Sequence, residues 1–205
     1  MGFTIFTNYG RGAMARPAYR DDQPTARERM REAFWGLLER EGYGRITVKA
    51  LASQANVNPN TFYYHYASME DLARDALDAE KLSEIPEAIR DSASGGVPLP
   101  GALAYVAVGG RWGRVRMFVS SDSAALRAMF YETLEGFWLQ VLGIEKEGLA
   151  PEDALDLAFM VNGAMGVIAL QGDEYDPSFL RSLPDRELGR GIMRALGRMV
   201  ERYAS

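Results

Sequence analysis

The run Pro59-Asn60-Thr61-Phe62-Tyr63-Tyr64-His65-Tyr66 gathers hydroxyl, amide and imidazole groups on one short segment. If it is helical with Phe62 turned inward, Tyr66 lies one turn on and also faces inward, beside Val57 from the preceding turn. Asn60 and Tyr64 then point directly away, with Thr61 and Tyr63 on the flanks. Such a face donates and accepts hydrogen bonds but carries almost no charge, which suits phosphate anchoring and contact with base edges. Catalysis would instead want a titratable pair. His65 is the only histidine and cysteine is absent. Disulfides, thiolate metal sites and cysteine nucleophiles are therefore excluded, and a zinc site or a serine triad would have to rest on one imidazole. No catalytic residue, metal or cofactor is expected.

Helical signals surround this segment. Thr25-Ala26-Arg27-Glu28 is a capping box, followed by Met30, Ala33, Phe34, Leu37 and Leu38 on one face, with Gly42 and Gly44 as the stop. A short helix follows from Thr47, carrying Val48, Leu51, Ala52 and Ala55. A break at Asn56 leads into the helix of about Pro59 to Tyr66. Three helices with a tight turn between the last two have the spacing of a helix-turn-helix, whose second short helix enters a major groove. Ser68-Met69-Glu70-Asp71 then caps a longer helix with Leu72, Ala76, Ala79 and Leu82 inward.

Beyond a loop at 92–101 come an apolar segment at Leu103–Val108, a glycine-broken stretch around Trp112, and a helix of about Ser123–Leu142. Pro151, Glu152 and Asp153 open another helix, running to about Leu170, whose nearly all-round apolar character predicts burial. A loop at 173–184 precedes a last helix, about Asp185–Ala204, with Leu188, Ile192, Ala195, Leu196, Met199, Val200 and Tyr203 at helical spacing on one apolar stripe. No alternating strand pattern competes, so the fold class is all-α. The organisation expected is an N-terminal extension (1–24), a three-helix helix-turn-helix DNA-binding domain (25–67), and a helical ligand-binding and dimerisation domain (68–205).

The segments Thr47-Val48-Lys49-Ala50-Leu51-Ala52, Val57–Tyr66 and Ser68-Met69-Glu70-Asp71-Leu72 closely resemble the DNA-binding domain of the tetracycline-repressor (TetR) family. The resemblance covers about residues 25–75. It implies an all-α homodimer that binds a palindromic operator and is released by a small molecule held in a divergent C-terminal domain. It also implies base or phosphate contacts for Thr47, Lys49, Pro59, Asn60, Thr61, Tyr63, Tyr64 and His65; on the residues alone, His65 is equally read as a satisfied interfacial histidine. Three positions depart from the family pattern. Asn56 stands where glycine is usual and is the next best residue for a left-handed turn. Asn58 replaces a frequent serine and still can cap the helix. Met69 replaces a common phosphate-binding lysine, which predicts one ionic contact fewer per subunit.

In the C-terminal half, Tyr105, Trp112, Met117, Phe118, Met129, Phe130 and Trp138 are large aromatic or adaptable side chains of the kind that line an apolar cavity. Taken singly, each is as well explained by core filling; the family resemblance is what implies a pocket for an apolar or aromatic effector. Gly163 and Gly166 permit close helix approach, so the last two helices suit a four-helix dimer interface. The alternatives are a regulator of the same fold controlled by a protein partner, and an all-α enzyme, disfavoured by one histidine and no clustered carboxylates.

Residues 1–24 hold Arg11, Arg16 and Arg20 beside Phe3, Ile5, Phe6 and Tyr9, which reads as a minor-groove arm or a segment docked on a surface. They lack the pattern of a signal peptide, and the apolar stretch Leu157–Leu170 is shorter than a spanning helix needs, so a cytoplasmic protein is expected. The 205 residues carry a net charge of −5, which taken whole argues against a nucleic-acid partner. The average conceals a split: residues 1–66 hold 9 basic and 6 acidic side chains, the remainder 14 and 22. A modestly basic reader is attached to an acidic body.

Overall fold

The structure is a computed structural model that describes residues 24–80, 111–170, 182 and 185–203. Tyr105, the segment Leu103–Val108, Leu82, the 92–101 loop and nearly all of residues 1–24 and 173–184 lie outside the described residues. Within them, all regular structure is helical: α1 (Ala26–Glu41), α2 (Val48–Gln54), α3 (Pro59–His65), α4 (Met69–Asp78), α5 (Arg111–Val119), α6 (Ala124–Leu142), α7 (Pro151–Leu170) and α8 (Glu187–Tyr203).

Local chemistry fixes the boundaries. Thr25 and Glu28 form the expected reciprocal capping box at α1, and Gly42 ends the helix at φ 76°, where a side chain would be strained. Ser68 and Asp71 form a second box at α4. Ser123 caps α6, and Gly143 closes it in the left-handed region. One element departs from expectation. The glycine-broken stretch around Trp112 is helical, because Trp112, Val115, Phe118 and Val119 bury one face, and that burial outweighs the roughly 1 kcal/mol cost of Gly113.

The core runs unbroken from Met30 in α1 to Phe137 in α6. Trp35 and Phe34 of α1 meet the Phe118 ring of α5 at centroid distances of 5.3 and 6.4 Å. The helix-turn-helix is thus welded through α1 to the following bundle rather than tethered to it. In α4 the inward residues are Leu72, Ala73, Ala76 and Leu77. Ala79, expected inward, is exposed; the helix has reached its C-cap there, and Glu80 is the residue that turns in.

The expectation that α7 is buried all round fails. Only Asp153, Leu157 and Val161 are buried, while Leu155, Phe159 and Leu170 are 71%, 75% and 85% exposed. Composition shows that a helix needs an apolar cover, not which molecule provides it. On α8, Leu188 of the apolar stripe is 69% exposed, while Leu196 and Met199 of the same stripe are buried. The helix also extends through Pro151–Leu170, 20 residues, so by length and composition it meets the requirement for crossing a membrane that Leu157–Leu170 alone did not. Its polar end packs on α8: Arg202 reaches Asp153 at 2.7 Å and Glu152 at 3.0 Å, and Arg198 reaches Asp156 at 3.3 Å.

Candidate nucleic-acid interface

The interface is built from a turn outward. At the end of α2 the Val57 amide donates to the Ala52 carbonyl (3.0 Å) and the Asn56 amide to Ser53 (3.2 Å). These are the two bonds of a Schellman closure, which requires a left-handed residue between them. Asn56 fills that role at φ 52°, the only positive φ among the described non-glycine residues. The chain then reverses into Asn58, whose Oδ1 accepts from the Asn60 amide at 2.9 Å, with Pro59 at the first helical position. On α2 the Thr47 hydroxyl accepts from the Ala50 amide at 3.1 Å.

With both ends of α3 fixed, the phases follow. Phe62 and Tyr66 are buried at 1% and 5%, whereas Tyr63 and Tyr64 stand 65% and 84% exposed. Pro59, Asn60 and His65 are exposed and Thr61 half-buried; Thr47 and Lys49 are exposed on α2. Seven of the eight expected DNA-contacting residues therefore sit on these two helices, with Thr47 at the N-cap of α2, and all but the half-buried Thr61 are exposed. Tyr64 meets the His65 ring edge-on at 5.0 Å, and Tyr63 meets Phe62 at 5.3 Å, which limits the rotamers of the outward rings. Met69 is half-buried and packs on the core, so the position is spent on packing.

Behind α3 lies a polar cluster that the sequence reading missed. The Tyr66 hydroxyl donates to Asp75 Oδ2 at 2.6 Å. Arg27 donates to both oxygens of the same carboxylate, Nε to Oδ2 at 2.9 Å and Nη2 to Oδ1 at 2.5 Å, and Arg31 stands 3.5 Å away. Burial pushes the Asp75 carboxyl up, but the bonds from Arg27 and Tyr66 and the charges of Arg27 and Arg31 outweigh it and hold it below its usual range. Burial, reinforced by Asp75, pushes the Tyr66 phenol up to about 12. A signal for the cluster exists in sequence. Arg27 and Arg31 are like charges one turn apart, which repel unless an anion lies between them.

Of the residues expected at an effector pocket, Trp112, Phe118, Met129 and Phe130 are buried in the bundle, and Met117 and Trp138 are partly buried against it. Phe118 meets the rings of Phe34 and Trp35 of α1 and shares one buried cluster with Met129 and Phe130. A cleft of about 380 Å³ opens elsewhere, between the start of α1 and the end of α2, lined by Pro24, Glu28, Arg29, Gln54 and Asn56 among others.

Residues 32–76 match the family model described as bacterial regulatory proteins, tetR family. The N-terminal domain belongs to the tetR family. No curated protein matches the chain significantly. Among solved structures, the multidrug binding protein EbrR, complexed with imidazole, is similar with a TM-score of 0.55 and 20% identity, over 83% of this chain and 96% of that one. A protein described as a TetR-family transcriptional regulator from Mesorhizobium loti MAFF303099 is similar at 0.50 and 15%, over 87% and 96%. These likenesses extend the tetR fold beyond the matched domain to most of the chain. Residues 32–76 are thus similar to bacterial regulatory proteins, and the remainder of the described chain shares the fold alone.

Proposed function

We propose that the protein is a homodimeric repressor that reads a palindromic operator through α3 and leaves it when a small apolar or aromatic molecule binds among the aromatic residues of residues 68–205. The observation that carries the DNA reading is the outward pair Tyr63 and Tyr64 on a helix anchored by Phe62 and Tyr66. Two adjacent exposed rings on one short helix contribute little to the core, whereas hydroxyl-bearing rings with Asn60 and Thr61 suit groove and phosphate contact. Thr47 and Lys49 are assigned to the backbone beside them, with Pro59 and His65 at the ends of the reading helix.

The dimer reading rests on α7. Leu155, Phe159, Gly163, Gly166 and Leu170 recur at intervals of three and four, forming one exposed stripe, and no atom would meet a side chain added at either glycine. Small residues midway along an apolar stripe let two helix backbones approach closely. A second copy supplies the cover, placing two seven-residue readers on one duplex where one alone would bind weakly. Asp153 and Asp156, held by Arg202 and Arg198, sit on the same helix and favour a protein cover over lipid.

Selection of bound sequences from random duplex DNA at a fixed salt concentration tests the proposal. Recovery of a palindrome whose binding is lost on Tyr64→Ala is expected; absence of enrichment overturns it. The effector reading is tested by thermal shift against apolar and aromatic compounds, with release of the selected duplex as the required second readout.

A further inference from the structure

A helix of seven residues has little area with which to hold its own orientation. Phe62 fixes the depth of α3 in the core, but one buried ring leaves rotation about that contact possible. Tyr66, one turn later, supplies a second anchor, and it ends in a hydroxyl that reaches a carboxylate nine residues along the chain, on another helix. We propose that Asp75 is the positioning residue of the reading helix: gripped by Arg27 and Arg31 of α1, its carboxylate holds the Tyr66 hydroxyl and so sets the azimuth at which Asn60, Thr61, Tyr63 and Tyr64 meet DNA. The inference rests on the reading of α3 as the DNA-contacting element and adds to it the device that aims it.

The geometry favours aim over bulk stability. Each Asp75 oxygen has a definite donor: Oδ1 takes Arg27 Nη2, and Oδ2 takes both Arg27 Nε and Tyr66. Two-point guanidinium binding removes the rotational freedom that a single contact would leave. The carboxylate is thus a fixed acceptor, and the position of Tyr66 is defined relative to α1 and α4 together. Phe62, Tyr63 and Tyr64 lie on α3, and Tyr66 is its C-cap, tied to the helix by its amide donating to the Phe62 carbonyl at 2.8 Å, so holding Tyr66 restrains the helix that carries the outward rings. Asp75 also lies on α4, five residues before Glu80, which stands just beyond the helix and is bonded to α5. A displacement of α4 would therefore reach the reading helix through this carboxylate.

The test measures full-length wild type, Tyr66→Phe, Asp75→Asn and the double variant against the selected duplex and against an unrelated duplex of equal length, across a range of salt. Tyr66→Phe deletes one oxygen and keeps the ring. It is expected to weaken binding of the selected duplex about tenfold, with affinity for the unrelated duplex and the salt slope unchanged. The double variant is expected to be no worse than the more affected single variant, because both act through one bond. Unchanged affinity of Tyr66→Phe for the selected duplex overturns the proposal. So does an equal loss on both duplexes, which would mark a purely structural role. If Asp75→Asn fails to fold because Arg27 and Arg31 lose their counter-charge, Tyr66→Phe alone decides. If wild type does not discriminate between the duplexes, the reading of α3 itself falls, and the proposal with it; a discriminating wild type with an unaffected Tyr66→Phe removes only the present inference.

Discussion

Arg114 of α5 donates to Glu80, just beyond α4, at 2.5 Å, and the same guanidinium reaches Glu32 of α1 at 2.8 Å while lying 5.3 Å over the Trp35 ring. Glu80 is only 8% exposed, so its charge depends on this partner. One side chain from the bundle therefore fastens both helices that carry the DNA-contacting unit. Burial opposes the Arg114 charge, but Glu80 and Glu32 hold its pKa above the ordinary value. Arg114→Met is expected to cost about 2–3 kcal/mol, most of it from stranding Glu80. Denaturant unfolding checks this, and adding Glu80→Gln should recover at least half of the loss. A double variant as unstable as the sum of the two singles would show that the pair is not coupled.

The Asp75 cluster predicts a specific response to acid. Its carboxyl lies below the 3.8 of an unperturbed aspartate, so the folded state favours the charged form. The stability it contributes is fully present above about pH 4 and is lost as pH falls through the lower folded value. Wild type should therefore exceed Asp75→Asn in Tm by a constant margin between about pH 5 and about pH 7, and the margin should close below about pH 4. Tyr66 acts at the other end of the scale. Its phenol is raised from 10.0 to about 12, so its contribution holds below 10 and is lost as pH climbs towards 12, a loss that Tyr66→Phe should not show. Thermal unfolding monitored by circular dichroism across these ranges checks both.

Asn56 is the hinge pin of the helix-turn-helix. At φ 52° it occupies a region that costs an ordinary residue about 1–2 kcal/mol, and more when the side chain is β-branched. Asn56→Gly should leave stability within about 0.5 kcal/mol, relief of strain offsetting the greater freedom of the unfolded chain. Asn56→Val should cost about 2 kcal/mol and weaken operator binding further, because the Schellman turn that sets the α2–α3 angle would open. Equal stabilities for the two variants would contradict this account.

Sequence and structure diverge along a physical line. The caps at Thr25, Asn58 and Ser68, the left-handed turn at Asn56 and the inward phase of Phe62 and Tyr66 were legible because each depends on neighbours within a few residues. Asp75 with Arg27 and Arg114 with Glu32 were not, since the partners lie 48 and 82 positions apart. Trp35 sits outside the stripe of Met30, Ala33, Phe34, Leu37 and Leu38, yet it is buried because Phe118 covers it from a helix far along the chain. The exposed face of α7 is not legible in the sequence for the complementary reason. Apolar periodicity announces a buried surface but does not distinguish a partner within the chain from a partner outside it.

The α7 stripe gives the sharpest test of assembly. Phe159 is 75% exposed at its centre, flanked by Leu155 and Gly163 at one-turn spacing. Burying a phenylalanine side chain contributes about 1.5–3 kcal/mol, and a charge placed there would also have to be desolvated. Phe159→Lys should therefore weaken a dimer by about 100-fold or more. Because Phe159 contributes little to the fold of one chain, the helical content and the aromatic core signals should be unchanged. Sedimentation velocity at micromolar concentration should show wild type as two chains and the variant as one. Operator affinity should fall with it, since two recognition helices on one duplex bind far more tightly than one. A variant that remains a dimer would move the interface off α7, and a wild type that is monomeric would remove the dimer altogether.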